Sequence, residues 1–180
     1  MRKRWSRPAV VSAAGLLLAI VGLVVSNAWG GVDSIQAATS SEEFATLAHE
    51  QGNQVRWASW ADIVLIVPGY GMFLGGLLAV LRGDDPKPRS QRVAAVGRMV
   101  LVAAVVSDQT ENAMLQLGMG GVDLDGPVSD AAVDPSGWLI GVLQAAFWAK
   151  WVLLLGSVAA VVTLAVTRRA DKAGASAAAI

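Results

Sequence analysis

Six consecutive polar residues, Ser107-Asp108-Gln109-Thr110-Glu111-Asn112, interrupt an otherwise apolar stretch from Val93 to Gly118, and Lys150 interrupts a second one from Trp138 to Thr167. Asp108, Glu111 and Asn112 are spaced i,i+3 and i,i+4, so a helix carries all three on one face with Val105 and Leu115. Two carboxylates, an amide and an ammonium can lock neighbouring helices together, or they can hold and pass on a proton. Both chemistries require the lysine to meet the carboxylates. At 1.5 Å per residue, Asp108 lies about 15 Å and Glu111 about 10 Å from the Gly118 end of its stretch. Lys150 lies about 20 Å from the start of the other stretch near Gly137 by the same rise. A lysine stem also reaches along the helix axis, so Lys150 comes level with Asp108 if the two stretches are antiparallel neighbours.

One lysine cannot neutralise two carboxylates. The spacing therefore leads to the expectation that one of Asp108 and Glu111 holds a proton near neutral pH. Asp62, Arg98 and Gln144 are the peripheral members of this network, with Arg98 bending up from a neighbouring turn or Asp62 and Arg56 rearranging at the outer end. Gln109, Gln116 and Gln144 have the chemistry of ordinary interhelical hydrogen-bond partners. Trp148 and Trp151 flank Lys150 in sequence but point to other faces, which predicts packing rather than stacking on the ammonium.

These groups must be positioned by elements that tolerate an apolar solvent. Of the 180 residues, 54% are apolar and 16% charged, against roughly 45–50% and about 25% in soluble domains. Four segments are long enough to cross a hydrocarbon core of about 30 Å as helices: about 8–29, 60–81, 93–118 and 138–167. None alternates with the period of two that a barrel strand needs. The fold class that follows is an all-α integral membrane protein, an antiparallel bundle of four transmembrane helices. It forms a single transmembrane domain over residues 1–172, with a disordered tail over 173–180.

The 14 basic and 14 acidic residues cancel in number but are segregated along the chain. Eleven bases fall in the N-terminus, the second loop and the tail, whereas the first and third loops together hold eight acids and only Arg56. The positive-inside rule then puts both termini on the cytoplasmic side of a bacterial inner membrane, as a multi-pass protein. Trp29, Trp57, Trp60 and Trp138 fall at the outer ends of their segments, where amphipathic rings meet headgroups. A competing reading makes the first segment a signal peptide cleaved near Ser26-Asn27-Ala28, although the run from Pro8 to Val25 exceeds the roughly 7–15 residues usual for such a core.

In the first outer loop, Ser40 and Glu43 have capping-box spacing, and Phe44, Leu47 and Ala48 share a face. A short amphipathic helix on the membrane surface is expected there, ending near Gly52-Asn53, with His49 as a solvated side chain. Two prolines, Pro86 and Pro88, keep the second and third spans from fusing. Val67-Pro-Gly-Tyr-Gly71 is similar to a potassium-channel filter sequence, but it lies inside the apolar run of the second span. It is read instead as a kink, with Gly71-xxx-Gly75 as a close packing face. Gly15/Ala19, Gly137/Gly141 and Gly156/Ala160 are weaker small-residue pairs. Asp123, Asp125 and Asp134 match three positions of a calcium loop, but Val128 stands where glycine is needed and Asp where a bidentate Glu belongs.

Zero cysteines and the single His49 remove thiolate metal sites, thiol catalysis and bis-histidine haem ligation. No phosphate loop, nucleophile triad or nucleic-acid face is present. A di-iron bundle lacks its Glu-x-x-His, a voltage sensor its repeated arginines, and a small multidrug transporter the glutamate of its first span. No cofactor or metal is expected. The partners expected are the lipid bilayer and, through the small-residue faces, a second copy or another membrane protein. The function that follows is a small non-enzymatic accessory or assembly subunit organised by Asp108, Glu111, Asn112 and Lys150. The alternative is a proton-coupled transporter or channel using the same carboxylates.

Overall fold

The computed structural model describes residues 6–29, 33–36, 38–83, 88–120, 122 and 137–177. Asp123, Asp125 and Asp134 of the third loop, the N-terminal bases Arg2, Lys3 and Arg4, and Pro86 lie outside them. The described chain is helical, with no strand: α1 (Arg7–Ala28), α2 (Asp33–Gln36), α3 (Ser41–Gln51), α4 (Asn53–Ala61), a π turn (Asp62–Ile66), α5 (Val67–Arg82), α6 (Pro88–Gly120) and α7 (Gly137–Ala177). Four helical stretches are long and apolar enough to cross a membrane: α1, the continuous run Asn53–Arg82, α6, and α7 as far as Asp171. α7 continues to Ala177, into the tail expected to be disordered. Alanine, which dominates that tail, is the strongest helix former.

The long helices run antiparallel in the order α1, α5, α6, α7, but they do not close a ring. α5 packs on α1 at one side and on α6 and α7 at the other, while α1 forms no extended seam with either α6 or α7. The α1/α5 seam is built from backbone contact. A Cβ on Gly69 would stand 2.5 Å from the Ala19 amide nitrogen, one on Gly15 2.5 Å from that of Phe73, and one on Gly76 2.7 Å from the Ser12 Cβ. The Ser12 hydroxyl also donates to the Phe73 carbonyl at 2.9 Å. Gly71 and Gly75, the expected close face, instead look toward Val105 and Leu101 of α6 at ordinary distances of 3.4 and 3.7 Å. The helix is wider through the π turn, so the face on which each downstream glycine falls differs from that of an uninterrupted helix. Gly156 and Ala160 do meet α6, at Val100 and Gly97, whereas Gly137 and Gly141 face open space.

Two apolar clusters stand at different levels of the helices. Toward the loop end, α2, α3 and α4 dock over α6 and α7 through Ile35, Phe44, Val55, Leu115, Met119 and Leu143, all almost fully buried. Phe44 fits over Gly118, where a Cβ would come within 2.6 Å of its ring. Burial of this one side chain contributes about 1.5–3 kcal/mol. α3 therefore turns its apolar face onto the helix ends, and His49 is half-buried, its Nδ1 shielded without a hydrogen-bond partner among the described residues. At the other end, Leu74, Leu78, Ala94, Leu101 and Leu164 form the second cluster.

The local caps hold the loop end in place. Ser40 Oγ accepts from the Glu43 amide at 3.1 Å, as the capping-box spacing predicts. The reciprocal arm is displaced by one residue: Glu43 Oε2 accepts from the Thr39 amide at 2.7 Å and the Thr39 hydroxyl at 2.8 Å. These donors hold the Glu43 carboxyl below its ordinary value. Gly52, with φ of 56° and ψ of −143°, occupies a region that favours glycine and turns the chain from α3 into α4. Arg56 donates to the Met119 carbonyl at 2.8 Å and so caps α6, which removes it from the role of a cluster counterion at the outer end.

Candidate functional site

Between the two apolar clusters lies a polar layer contributed by three of the long helical stretches. α6 supplies Asp108, Glu111 and Asn112, all buried on the stripe that continues through Ala104 and Leu115. α7 supplies Lys150, on the face that also buries Leu143, Ala146 and Ser157. The Asn53–Arg82 stretch supplies Ser59, Asp62 and Tyr70.

The π turn explains how Asp62 enters. Pro68 has no N–H, so an ordinary helix would lose the bond to the carbonyl four residues earlier. Here the Val67 amide bonds to the Asp62 carbonyl five residues back, and in that register the donor for the Ile63 carbonyl would be the missing N–H of Pro68. The Gln109 side chain replaces it, donating to the Ile63 carbonyl at 3.3 Å. A glutamine on α6 thus satisfies the backbone group that the proline releases, as a backbone carbonyl within a packed bundle requires. The buried Asp62 carboxylate sits at the start of this turn.

The network is continuous. Lys150 Nζ lies 3.3 Å from Asp108 Oδ1 and 2.8 Å from Glu111 Oε2. The contact to Asp108 has hydrogen-bond geometry, whereas the shorter one to Glu111 is an ion contact without hydrogen-bond alignment. Glu111 is completely buried, and neither of its oxygens accepts an aligned hydrogen bond among the described residues. Asp108 Oδ2 accepts from the Tyr70 hydroxyl at 3.0 Å. The Asn112 amide donates to Asp62 Oδ2 at 2.7 Å and to the Asp108 carbonyl at 3.1 Å, while its own oxygen accepts from the Ser59 hydroxyl at 3.1 Å. One amide therefore bridges two carboxylate-bearing helices. Lys150 Nζ also lies 5.4 Å from the Phe147 ring centroid and 5.8 Å from that of Trp151. Trp151 consequently takes part in the site as a cation–π neighbour, contrary to the expectation that it only packs.

The four residues expected at the core of the network, Asp108, Glu111, Asn112 and Lys150, are brought together. Asp62 is a full member rather than a peripheral one. Arg98 is not a member: its side chain is exposed, and ten residues from Asp108 along a straight helix is about 15 Å. Gln144 is not a member either, because it donates at 3.0 Å to the Ala38 carbonyl and so ties α7 to the segment before α3. Tyr70 and Ser59 were not anticipated. Ser59 and Asp62 have i,i+3 spacing, a signal present in the sequence, whereas Tyr70 comes onto their face only through the intervening π turn.

Beside the network is a cavity of about 230 Å³, lined by Asp62, Tyr70, Asp108 and Lys150 with Trp151, Ile66 and Leu154, and by Leu23, Ser26 and Asn27 of α1. It occupies the place where α1 fails to reach α7. No group of acidic or histidine side chains suited to a metal ion occurs among the described residues. No protein-family model, curated protein or solved structure matches this chain.

Proposed function

We propose that the chain is a multi-pass protein of the cytoplasmic membrane with both termini inside, acting without catalysis as an accessory or assembly subunit. The observation that carries this reading is the buried Asp62–Asn112–Asp108–Lys150–Glu111 network, which joins three helical stretches at the level where hydrocarbon would otherwise surround them. Exposed apolar residues along every long helix, such as Leu17, Val102 and Leu155, suit contact with lipid or another membrane protein. Trp29, Trp57, Trp60 and Trp138 are all substantially exposed at the loop end, as a headgroup belt requires. The amphipathic α3 would then sit at the outer surface, docked on the bundle rather than afloat in lipid.

Burial of charge in lipid costs on the order of 2.5–3.5 kcal/mol per group on insertion scales, so pairing is what makes these residues compatible with insertion. A buried salt bridge of this kind fixes which helix face meets which. The second reading, proton carriage, is favoured by Glu111. This carboxylate is fully buried without an aligned donor, and it shares one ammonium with Asp108.

Two experiments test these readings. Because the chain has no cysteine, single cysteines at the exposed positions Glu50 and Arg89 can be labelled from either side of sealed vesicles. Labelling from opposite faces is expected; labelling from one face contradicts the topology. In proteoliposomes, the subunit reading predicts no proton flux in wild type or Glu111→Gln, together with a lowered melting temperature for Lys150→Met. Flux present in wild type and abolished in Glu111→Gln would replace it with the transport reading.

A further inference from the structure

We infer that the cavity between α1 and α7 binds the cationic head of an alkylammonium amphiphile drawn sideways from the bilayer. The inference rests on the membrane reading above and adds a ligand to it. The cavity has a polar inner wall, formed by Asp62, Tyr70, Asp108 and Lys150, whose ammonium is held by Asp108 and Glu111, and an apolar approach past Leu23 and Leu154. Leu23 is half exposed, so the approach begins on the helix surface that hydrocarbon would cover. The lack of an α1/α7 seam leaves this side of the molecule unclosed. At roughly 30 Å³ for a water-sized group, about 230 Å³ takes a head and its first few carbons, with the remaining chain lying outside among lipid.

The charge of the head follows from the network. Asp108 and Glu111 share one ammonium, Lys150, which leaves that trio one negative charge in excess when all three are ionised. Asp62 adds a buried carboxylate to the cavity wall itself. A monovalent cation offsets the trio's excess where an anion would add to it, and the aromatic rings of Tyr70 and Trp151 in the cavity wall are favourable neighbours for an ammonium. The hydrophobic chain supplies the rest of the affinity and selects entry from lipid over entry from water.

The probes are decylammonium, decanol and decanoate, which share one chain and differ in head. Their binding to the full chain in nanodiscs is measured at about pH 8, where an alkylamine keeps its proton as lysine does, with empty nanodiscs subtracted. Saturable decylammonium binding is expected, about tenfold or more tighter than decanol, with none for decanoate. Asp62→Asn, which keeps the shape of the side chain, should weaken decylammonium binding by about tenfold or more. Leu23→Trp, outside the network and on a half-exposed position, should narrow the approach and weaken it comparably without lowering the melting temperature. Equal affinity for the three heads, or wild-type affinity in Leu23→Trp, overturns the inference. If decylammonium fails to bind while Lys150→Met still destabilises the protein, the cavity inference falls and the network reading stands. If the protein does not incorporate into nanodiscs, the membrane reading falls with it.

Discussion

The α1/α5 seam and the α6/α7 seam join neighbouring antiparallel helices by different means. α1 meets α5 at Gly15, Gly69 and Gly76 and the π turn at Gly22, where the helices come into close contact, and the polar contribution across the seam is the Ser12 hydroxyl on the Phe73 carbonyl. α6 meets α7 through small residues too, at Gly97/Ala160 and Gly156/Val100, but at its centre it adds Lys150 against Asp108 and Glu111. Small-residue contact suffices to associate helices in lipid. The charges therefore add what close packing alone does not: Asp62, Asp108, Glu111 and Lys150 tie three helical stretches together at one level, and three of them line the cavity that α1 borders.

The largest effect expected is from breaking the charged seam. Lys150→Met leaves two buried carboxylates without their ammonium and should cost about 3–5 kcal/mol, read as a lowered midpoint in denaturant or thermal unfolding in detergent. Breaking the glycine seam comes next. Gly69→Val places side-chain atoms where even a Cβ would stand 2.5 Å from the Ala19 nitrogen, and should cost about 1–3 kcal/mol or more. Because the network does not involve α1, crosslinks between positions on α6 and α7 should survive Gly69→Val and fail in Lys150→Met. Equal loss in both variants would mean that the seams are not independent.

A smaller change sharpens the comparison within the network. Tyr70→Phe removes one donor to Asp108 while Lys150 and Asn112 remain, so about 1 kcal/mol is expected in the same unfolding assay. The smallest effect lies outside both seams, at Glu43. Its folded value is depressed from 4.5 by the Thr39 amide and hydroxyl, so its contribution is complete above that ordinary value and disappears as pH falls through the lowered one. Limited proteolysis around α3 should accelerate on such acidification in wild type and show no such step in Glu43→Gln.

Much of the architecture was legible because its signals are strong. Long apolar runs specify four helices, and the 3.6 period puts Asp108, Glu111 and Asn112 on one face. The depth arithmetic that placed Lys150 level with Asp108 holds because both helices are straight enough for 1.5 Å per residue to apply. Three departures share a physical origin at Pro68. The π turn it provokes brings Asp62 from an apparent edge position into the network, hides Tyr70 as a partner of Asp108, and moves the close glycine face from Gly71/Gly75 to Gly69/Gly76. Local spacing does not encode such a change of helical register. For Arg98 and Gln144 the sequence does not say which way a long side chain bends: Arg98 is exposed, and Gln144 donates to the Ala38 carbonyl. The gap between α1 and α7 has no counterpart in the sequence, since a small-residue stripe does not reveal which neighbour it will meet.

The central claim is that Lys150 compensates Asp108 and Glu111 as one buried unit, and a thermodynamic cycle tests it most directly. The unfolding free energy is measured for Lys150→Met, for Asp108→Asn with Glu111→Gln, and for all three substitutions together. The account predicts that removing both carboxylates recovers part of the stability lost with the lysine, a coupling on the order of 1–3 kcal/mol. Strict additivity, with the triple variant as unstable as the sum of its parts, would contradict it.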